Sequence, residues 1–496
     1  MQRGTDGNSL SGWLALAAPL GLYLATLSPG VDFWDIGEMQ TVPYLLGIAH
    51  PTGFPLVIVA GWLFTHALPV GEPAWRMSLF SALAASVAAR ALYAIVRDVT
   101  GARAVALASA LVFALGDVVW TRAIRADVHD FALAAIAVAL AAAARAGATR
   151  AATPLGLAAL TLGIGLAIHP IVALAIPGAL VLAWPALASA RLLSRARTLA
   201  LVCAPLLAYA YVPLRSRYVE AHGDPGRELG IAGAAIFDTG APSTPAAFWQ
   251  YVTGEAFAPL HAFARASSAH GFVAALALAH DVAYRNDGIV TLALALVGSI
   301  ILVLKFPRIG IGLATVPIAT LGFVANYPAE SDVARYALPA LWTLAASAGV
   351  GAWWLAHAIA GDAARARRFA STAAAAALGL AVLPGLAATA ADVGRSSRID
   401  DARELGALVA RNTVDGSLVV ASWNFATPLT YDAYVAGRLG ARRIACGWPH
   451  DFVGRYAAWH ARYRHVYFVL ARAYDVTPFA TPIVARGRWQ LSEMRT

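Results

Sequence analysis

The sequence predicts a polytopic α-helical membrane protein that ends in a small α/β domain. Three observations carry that prediction. First, 59% of the 496 residues are hydrophobic and only 13% are charged, against about 25% charged in an ordinary soluble domain. Second, mean hydropathy is +0.64, and apolar Ala/Leu/Val runs recur at the length of roughly 20 residues that a bilayer requires. Third, charge density returns to an ordinary level only in the tail that begins near Asp392. The 42 Gly and 26 Pro exclude a coiled coil.

Hydropathy places about eleven spans along the chain. They lie at 10–28, 75–96, 102–119, 130–146, 152–168, 170–188, 198–214, 288–304, 310–325, 336–358 and 370–390. With a cytoplasmic N-terminus, the inside loops carry Arg97 and Arg103, Arg145 and Arg150, then Arg191, Arg195 and Arg197. The next inside loops carry Lys305 with Arg308, and Arg365, Arg367 and Arg368. Short basic loops on one side are what the positive-inside rule demands. Residues 54–69 are apolar, but counting them as a span would invert every later loop. They are therefore expected to form a re-entrant or interfacial helix in the first outer loop.

The outer loops are then 29–74, 120–129, 215–287 and 326–335, with surface helices expected at 245–257 and 270–284. The division that follows is a membrane domain at 1–391 and a periplasmic α/β domain at 392–496. In the tail, Asp401 and Glu404 resemble a capping box opening a helix that runs to about Arg411. Apolar runs at Ser417–Ala421, Arg443–Cys446 and His465–Leu470 read as strands between helical stretches. No internal repeat is evident. Leu10 to Leu27 is long enough to span and shows no cleavage site, so no cleavable signal is expected. Cys203 and Cys446 form neither a disulfide framework nor a zinc site.

Net charge is +9, carried almost wholly by arginine, with a single lysine, Lys305. Those arginines are scattered between spans, which fits loop charge and not nucleic acid. No P-loop, dinucleotide fingerprint, CxxC or HExxH occurs, so any donor is expected to arrive through the bilayer.

Polar residues beside spans are costly and need a reason. Here they gather on the outer side. Asp35 and Glu38 follow the first span in Phe33-Trp34-Asp35-Ile36-Gly37-Glu38, three apart, so one helical turn would aim both carboxylates the same way. One would take a proton while the other positions substrate; alternatively, both simply favour the start of a helix. His50 follows in His50-Pro51-Thr52-Gly53-Phe54-Pro55. Arg125, Asp127 and His129 alternate after the third span, either as a solvated loop or as a cluster. His169 joins two spans beside Pro170, a position where histidine is often structural. Arg215 and Arg217 leave the seventh span on the outer side against the charge rule, and the guanidinium fork matches phosphate; snorkelling to headgroups is the alternative. Asn326, Tyr327, Glu330, Asp332, Arg335 and Tyr336 make a further outer cluster, in which Arg335 is another phosphate candidate.

The motifs Phe33-Trp34-Asp35-x-Gly37-Glu38, His50-Pro51-x-Gly53-Phe54-Pro55-Leu56 and Trp75-Arg76-x-x-Leu79-x-Ser81-Ala82 resemble a known signature. It is that of the bacterial relatives of the eukaryotic transmembrane O-mannosyltransferases that modify plexin-type receptors. Arg125-Ala-Asp127-Val-His129, Tyr211-x-Pro213-Leu214-Arg215 and Trp249-x-x-Val252-Thr253-Gly254 extend the resemblance over roughly residues 20–340. Ile36 stands where the family usually has Ser, and Thr52 where it has Pro. The resemblance implies a GT-C-like fold and a polyprenyl-phosphate sugar donor, with mannose one candidate for the sugar. It also implies a first-loop carboxylate, Asp35 or Glu38, as base; Asp35, nearer the end of the first span, is the expected one, with Glu38 orienting through an acceptor or His50.

The expected function is therefore sugar transfer with inversion to a periplasmic acceptor, a protein Ser/Thr or a glycan or lipid. The expected setting is the bacterial inner membrane, with the active site and the tail facing the periplasm. Arg125, Arg215 and Arg335 are the expected phosphate ligands. His50, Asp127, His129, His169 and Tyr336 are the expected substrate contacts. Arginines alone can neutralise a phosphate, so metal independence is expected, with a divalent cation as the alternative. Two rival readings are a lipid-linked sugar flippase, which would place polar groups at mid-membrane on broken helices in repeated halves, and a non-catalytic scaffold presenting the tail.

Overall fold

The computed structural model describes residues 10–223, 235–255, 269–326, 333–361, 364–396, 400–447 and 454–495. Within these residues, eight helices are long and apolar enough to cross a membrane: Pro73–Thr100, Val128–Thr149, Pro170–Ser189, Leu192–His222, Leu276–Lys305, Pro307–Val324, Val333–Ala360 and Arg365–Arg395. A ninth forms if the bent pair Arg103–Leu115 and Asp117–Ala123 counts as one span. The expected spans at 10–28 and 152–168 correspond to shorter apolar helices, Leu10–Ala25 and Ala152–Leu166. The 54–69 segment is the 13-residue helix Pro55–Ala67, too short for a straight crossing at 1.5 Å per residue.

One boundary differs from expectation. The third span bends by 70° at Gly116, because Asn286 takes over there. Its Oδ1 accepts from the Val118 and Val119 N–H groups at 3.1 and 3.3 Å and so caps the second segment. Residues 270–284 lie on a helix that starts at Ala269, as expected. The chain breaks at Gly288 (φ 69°, ψ 165°), where that helix ends and the span to Lys305 begins. Arg215 and Arg217 follow the expected seventh span on the helical stretch Tyr211–His222. Tyr327, Glu330 and Asp332 lie outside the described residues, as does the side chain of Asn326.

The chain divides into two compact units. One comprises Met1–Leu27, Ser81–Leu207 and Phe257–Ser396. Its helices approach closely through small residues, the usual device where apolar lipid gives helices no hydrophobic reason to associate. Gly298 meets the Ser347 carbonyl with no room for a Cβ, and Gly351 meets that of Leu294. Buried polar groups are satisfied across helices. The Trp342 indole donates to the Ala88 carbonyl at 2.9 Å, and the Tyr23 hydroxyl donates to that of Ala114 at 2.8 Å.

The other unit comprises Ser28–Phe80, Ala208–Ala256 and Ser397–Thr496. Its tail holds a five-stranded sheet of β1 (Leu418–Ala421), β2 (Arg443–Cys446), β3 (Val466–Ala471), β4 (Ala480–Arg486) and β5 (Trp489–Met494), in the order β2-β1-β3-β5-β4. The first three are parallel and correspond to the three expected strands. The β4–β5 hairpin adds antiparallel strands at one edge. Leu418, Val420, Phe468, Leu470 and Trp459 form its core.

The expected capping box does not form. The helix Asp401–Asn412 begins after Asp400 without a side-chain cap, and Glu404 pairs instead with Arg486. Elsewhere in this unit, Glu72 receives Arg403 at 3.1 Å and Arg438 at 2.8 Å, while Arg438 also holds the buried Asp432 at 2.6 Å. Burial pushes the Asp432 carboxyl up to about 6 against the pull of Arg438.

Candidate active site

The first motif is built on the short helix Trp34–Thr41. Its inner face is polar yet buried, so every group there needs a partner. Gln40 supplies several: its amide donates to the Gly30 carbonyl at 3.0 Å and Ser78 Oγ at 3.2 Å, and its Oε1 accepts the Asp32 N–H at 2.8 Å. Gly37 lies against the Asp32 carbonyl and 2.9 Å, measured from an added Cβ, from Thr427 Oγ1. Any side chain there would push the helix off its seat.

Glu38 is fully buried and is committed to His50. Its Oε1 accepts the His50 backbone N–H at 2.6 Å, and its Oε2 lies 2.5 Å from His50 Nδ1. Burial raises the Glu38 pKa; His50 opposes that rise and Asp35 adds to it. The loop that carries His50 is locked from its other side. The Tyr251 hydroxyl donates to the Ala49 carbonyl, and the Tyr251 ring lies within 2.8 Å of where a Cβ on Gly53 would stand. Ile48 bridges to Asp238, its N–H donating to the Phe237 carbonyl at 2.7 Å. Gly53, at φ 92°, and Phe54, at φ 48°, turn the chain into the Pro55 helix.

Asp35 differs from Glu38. It is partly exposed, and its Oδ1 accepts the indole N–H of Trp423 at 3.1 Å. His50 stands edge-on to Trp423 and to Phe54, with centroids 6.0 and 4.9 Å away. The structure thus separates the two carboxylates, one locked inside and one at the surface.

In the same unit, Arg215 donates from Nη2 to the Leu45 carbonyl at 3.2 Å and lies 4.7 Å over the Tyr218 ring. Its Nε is buried without a hydrogen-bond partner among the described residues. The Tyr211 hydroxyl, one turn earlier, lies 2.6 and 2.8 Å from the Leu46 and Gly47 carbonyls.

The other unit gathers a second cluster. Asp127 caps the helix Val128–Thr149: its Oδ1 accepts the His129 N–H at 2.9 Å and lies 2.7 Å from His129 Nδ1. Arg122 stands 3.6 Å from its other oxygen. Burial opposes ionisation of Asp127, but His129, Arg122 and Arg335 hold its carboxyl well below the usual range. The His129 ring meets His169 at 4.7 Å and Tyr336 at 4.9 Å. His169 also has a structural task, since its Nδ1 accepts the Ile171 N–H at 3.1 Å. Arg335 lies 5.2 Å from the Tyr336 ring. Arg125 ends the preceding turn, its N–H donating to the Arg122 carbonyl at 2.9 Å.

So Asp127, His129, His169, Arg335 and Tyr336 come together in one unit, and Asp35, Glu38, His50 and Arg215 belong to the other. Sequence reasoning passed over Gln40, Tyr251, Trp423 and Asp130. The last is a fully buried carboxylate whose oxygens have no hydrogen-bond partner among the described residues.

Residues 35–187 match the protein O-mannosyl-transferase TMEM260 N-terminal domain. The protein O-mannosyl-transferase tmem260 of Dictyostelium discoideum is 31% identical over 109 residues, which is 22% of this chain and 13% of that protein. Its Mus musculus counterpart is 32% identical over 121 residues, 24% of this chain and 17% of that protein. The match therefore spans less than a fifth of either relative's length. Among solved structures, ArnT from Cupriavidus metallidurans bound to undecaprenyl phosphate superposes with a TM-score of 0.56 at 14% identity, covering 98% of both chains. The fold is that of the GT-C glycosyltransferases.

Proposed function

We propose that this chain is a membrane glycosyltransferase that moves a sugar, mannose by its family resemblance, from a polyprenyl-phosphate donor to an acceptor hydroxyl. The observation that carries this reading is the division of labour between Asp35 and Glu38. A general base must reach the proton it removes, and Asp35 is partly exposed while Glu38 is spent on His50. Asp35 takes the proton of an acceptor hydroxyl as its oxygen bonds to the anomeric carbon. The bond from that carbon to the phosphate oxygen breaks on the opposite face, so configuration inverts and polyprenyl phosphate leaves. Glu38 orients His50, which contributes to acceptor binding.

Negative charge grows on the leaving phosphate, and fixed cations stabilise it without reorganising. Arg215 suits that role because its buried Nε has no partner among the described residues. Undecaprenyl phosphate in the ArnT structure supports a lipid phosphate as the ligand. Arg125 and Arg335 remain proposed anion contacts in their own unit, and Asp127, His129, His169 and Tyr336 proposed substrate contacts there.

Arg215→Ala is expected to weaken use of the polyprenyl-phosphate donor by about tenfold or more, the loss of one charge-assisted hydrogen bond, with folding retained. Lysine restores part of the effect, because it supplies charge without the planar fork. Unchanged donor affinity in Arg215→Ala would return this residue to headgroup snorkelling. The setting proposed is the bacterial inner membrane, with the N-terminus cytoplasmic and the tail periplasmic. A reporter active only in the cytoplasm, fused after Arg495, is expected to be silent. Activity there would reverse the topology.

A further inference from the structure

We propose that Trp423 is a positioning residue for Asp35, and that the α/β tail is therefore a working part of the active site and not only its cover. This inference rests on the glycosyltransferase reading above and extends it to a residue 388 positions away from the base it serves.

The geometry begins in the sheet. In the order β2-β1-β3, strand β1 is central among the parallel strands, and the chain passes from it to β2 on one side and then across to β3 on the other. The carboxyl end of such a strand is the topological switch point, where open α/β sheets place their ligands. Here β1 ends at Ala421, the Ser422 N–H donates to the Val469 carbonyl at 3.3 Å, and the helix Trp423–Tyr434 starts at once. The residue delivered to the switch point is Trp423. Its indole N–H donates to Asp35 Oδ1 at 3.1 Å, and its ring meets the edge of His50.

The helix that carries Trp423 is held against the first motif over its next turn. Phe425 packs edge-to-face on Phe33 with centroids 6.1 Å apart, and Thr427 fills the space left by the absent side chain of Gly37. The Arg488 guanidinium, from the β4–β5 turn, covers Phe33 from 4.4 Å. Two tail elements therefore fix the start of the short helix that bears the base.

An indole N–H donates and never accepts. It cannot take the acceptor proton itself, so its effect is on the carboxylate: it fixes the orientation of Asp35 and favours the charged form that acts as base. Trp423 should then affect the chemical step more than donor binding.

The test uses the full-length purified chain. Trp423→Phe keeps an aromatic ring, though a smaller one, and removes the donor. The expected result is a fall in kcat of about tenfold or more, with KM for a polyprenyl-phosphate sugar unchanged. In an Asp35→Asn background the same substitution should have no further effect, because coupled residues are not additive. Equal losses in both backgrounds, or a rise in KM alone, would overturn the proposal while leaving the enzyme assignment standing. A second measurement needs no activity. In chain labelled with 15N-tryptophan, the indole resonance that disappears in Trp423→Phe is expected to move in Asp35→Asn. A resonance that stays in place would show that the contact does not exist in solution, whatever the reaction is.

Discussion

Asp35→Asn is expected to lower single-turnover sugar transfer by at least about two orders of magnitude, the lower end of what a general base contributes. Donor binding should be retained, because the amide keeps the shape of the carboxylate and can still accept the Trp423 N–H through its oxygen. Only the capacity to take a proton is lost. Glu38→Gln should cost less, since both Glu38 oxygens are already engaged by His50. The comparison is made on purified variants with donor binding measured alongside. Parental transfer by Asp35→Asn would remove it as base, and parental transfer by both variants would remove the mechanism.

Glu38→Ala is expected to damage the structure itself. It leaves both the backbone N–H and the Nδ1 of His50 without their acceptor and opens a hole where a fully buried side chain stood. Breaking a buried pair by removing one partner typically costs 3–5 kcal/mol, and a comparable loss, of about 3 kcal/mol or more, is expected here. A lowered thermal midpoint with loss of transfer is the measurable result. Glu38→Gln separates packing from charge. Burial raises the folded-state pKa of Glu38, so this group's contribution to stability is fully present below its unfolded pKa and is lost as pH rises through the folded one. The stability advantage of the parent over Glu38→Gln should accordingly shrink with rising pH. A difference that grows with pH would mean that His50, not burial, governs the carboxylate.

What the sequence disclosed and what it hid follow from chain distance. The membrane class was legible because span length and loop charge are local properties, and the tail strands because each is a short apolar run. Asp35, Glu38 and His50 were legible because they lie within 16 residues and within a recognisable motif. Their different roles were expected only from Asp35 lying nearer the end of the first span; the burial that distinguishes them is not reported by the spacing of two carboxylates. Trp423 and Tyr251 reach the first loop from 388 and 202 positions away, and no local pattern marks them. The bend at Gly116 escaped for the same reason, its cap being Asn286. The β4 edge strand contains Pro482 and is largely exposed, so it lacks the apolar run that revealed its neighbours.

Transfer of a sugar from a lipid phosphate with inversion can be followed at both of its products. The most direct measurement supplies purified chain with a polyprenyl-phosphate mannose of defined anomeric configuration and an acceptor hydroxyl, then determines the product anomer by NMR and the released lipid phosphate by mass spectrometry. The account predicts one polyprenyl phosphate released per sugar transferred, and a product of inverted configuration. A product that retains configuration would contradict the single displacement assigned to Asp35, and no release of lipid phosphate with any hydroxyl acceptor would contradict the assignment of the chain as a glycosyltransferase.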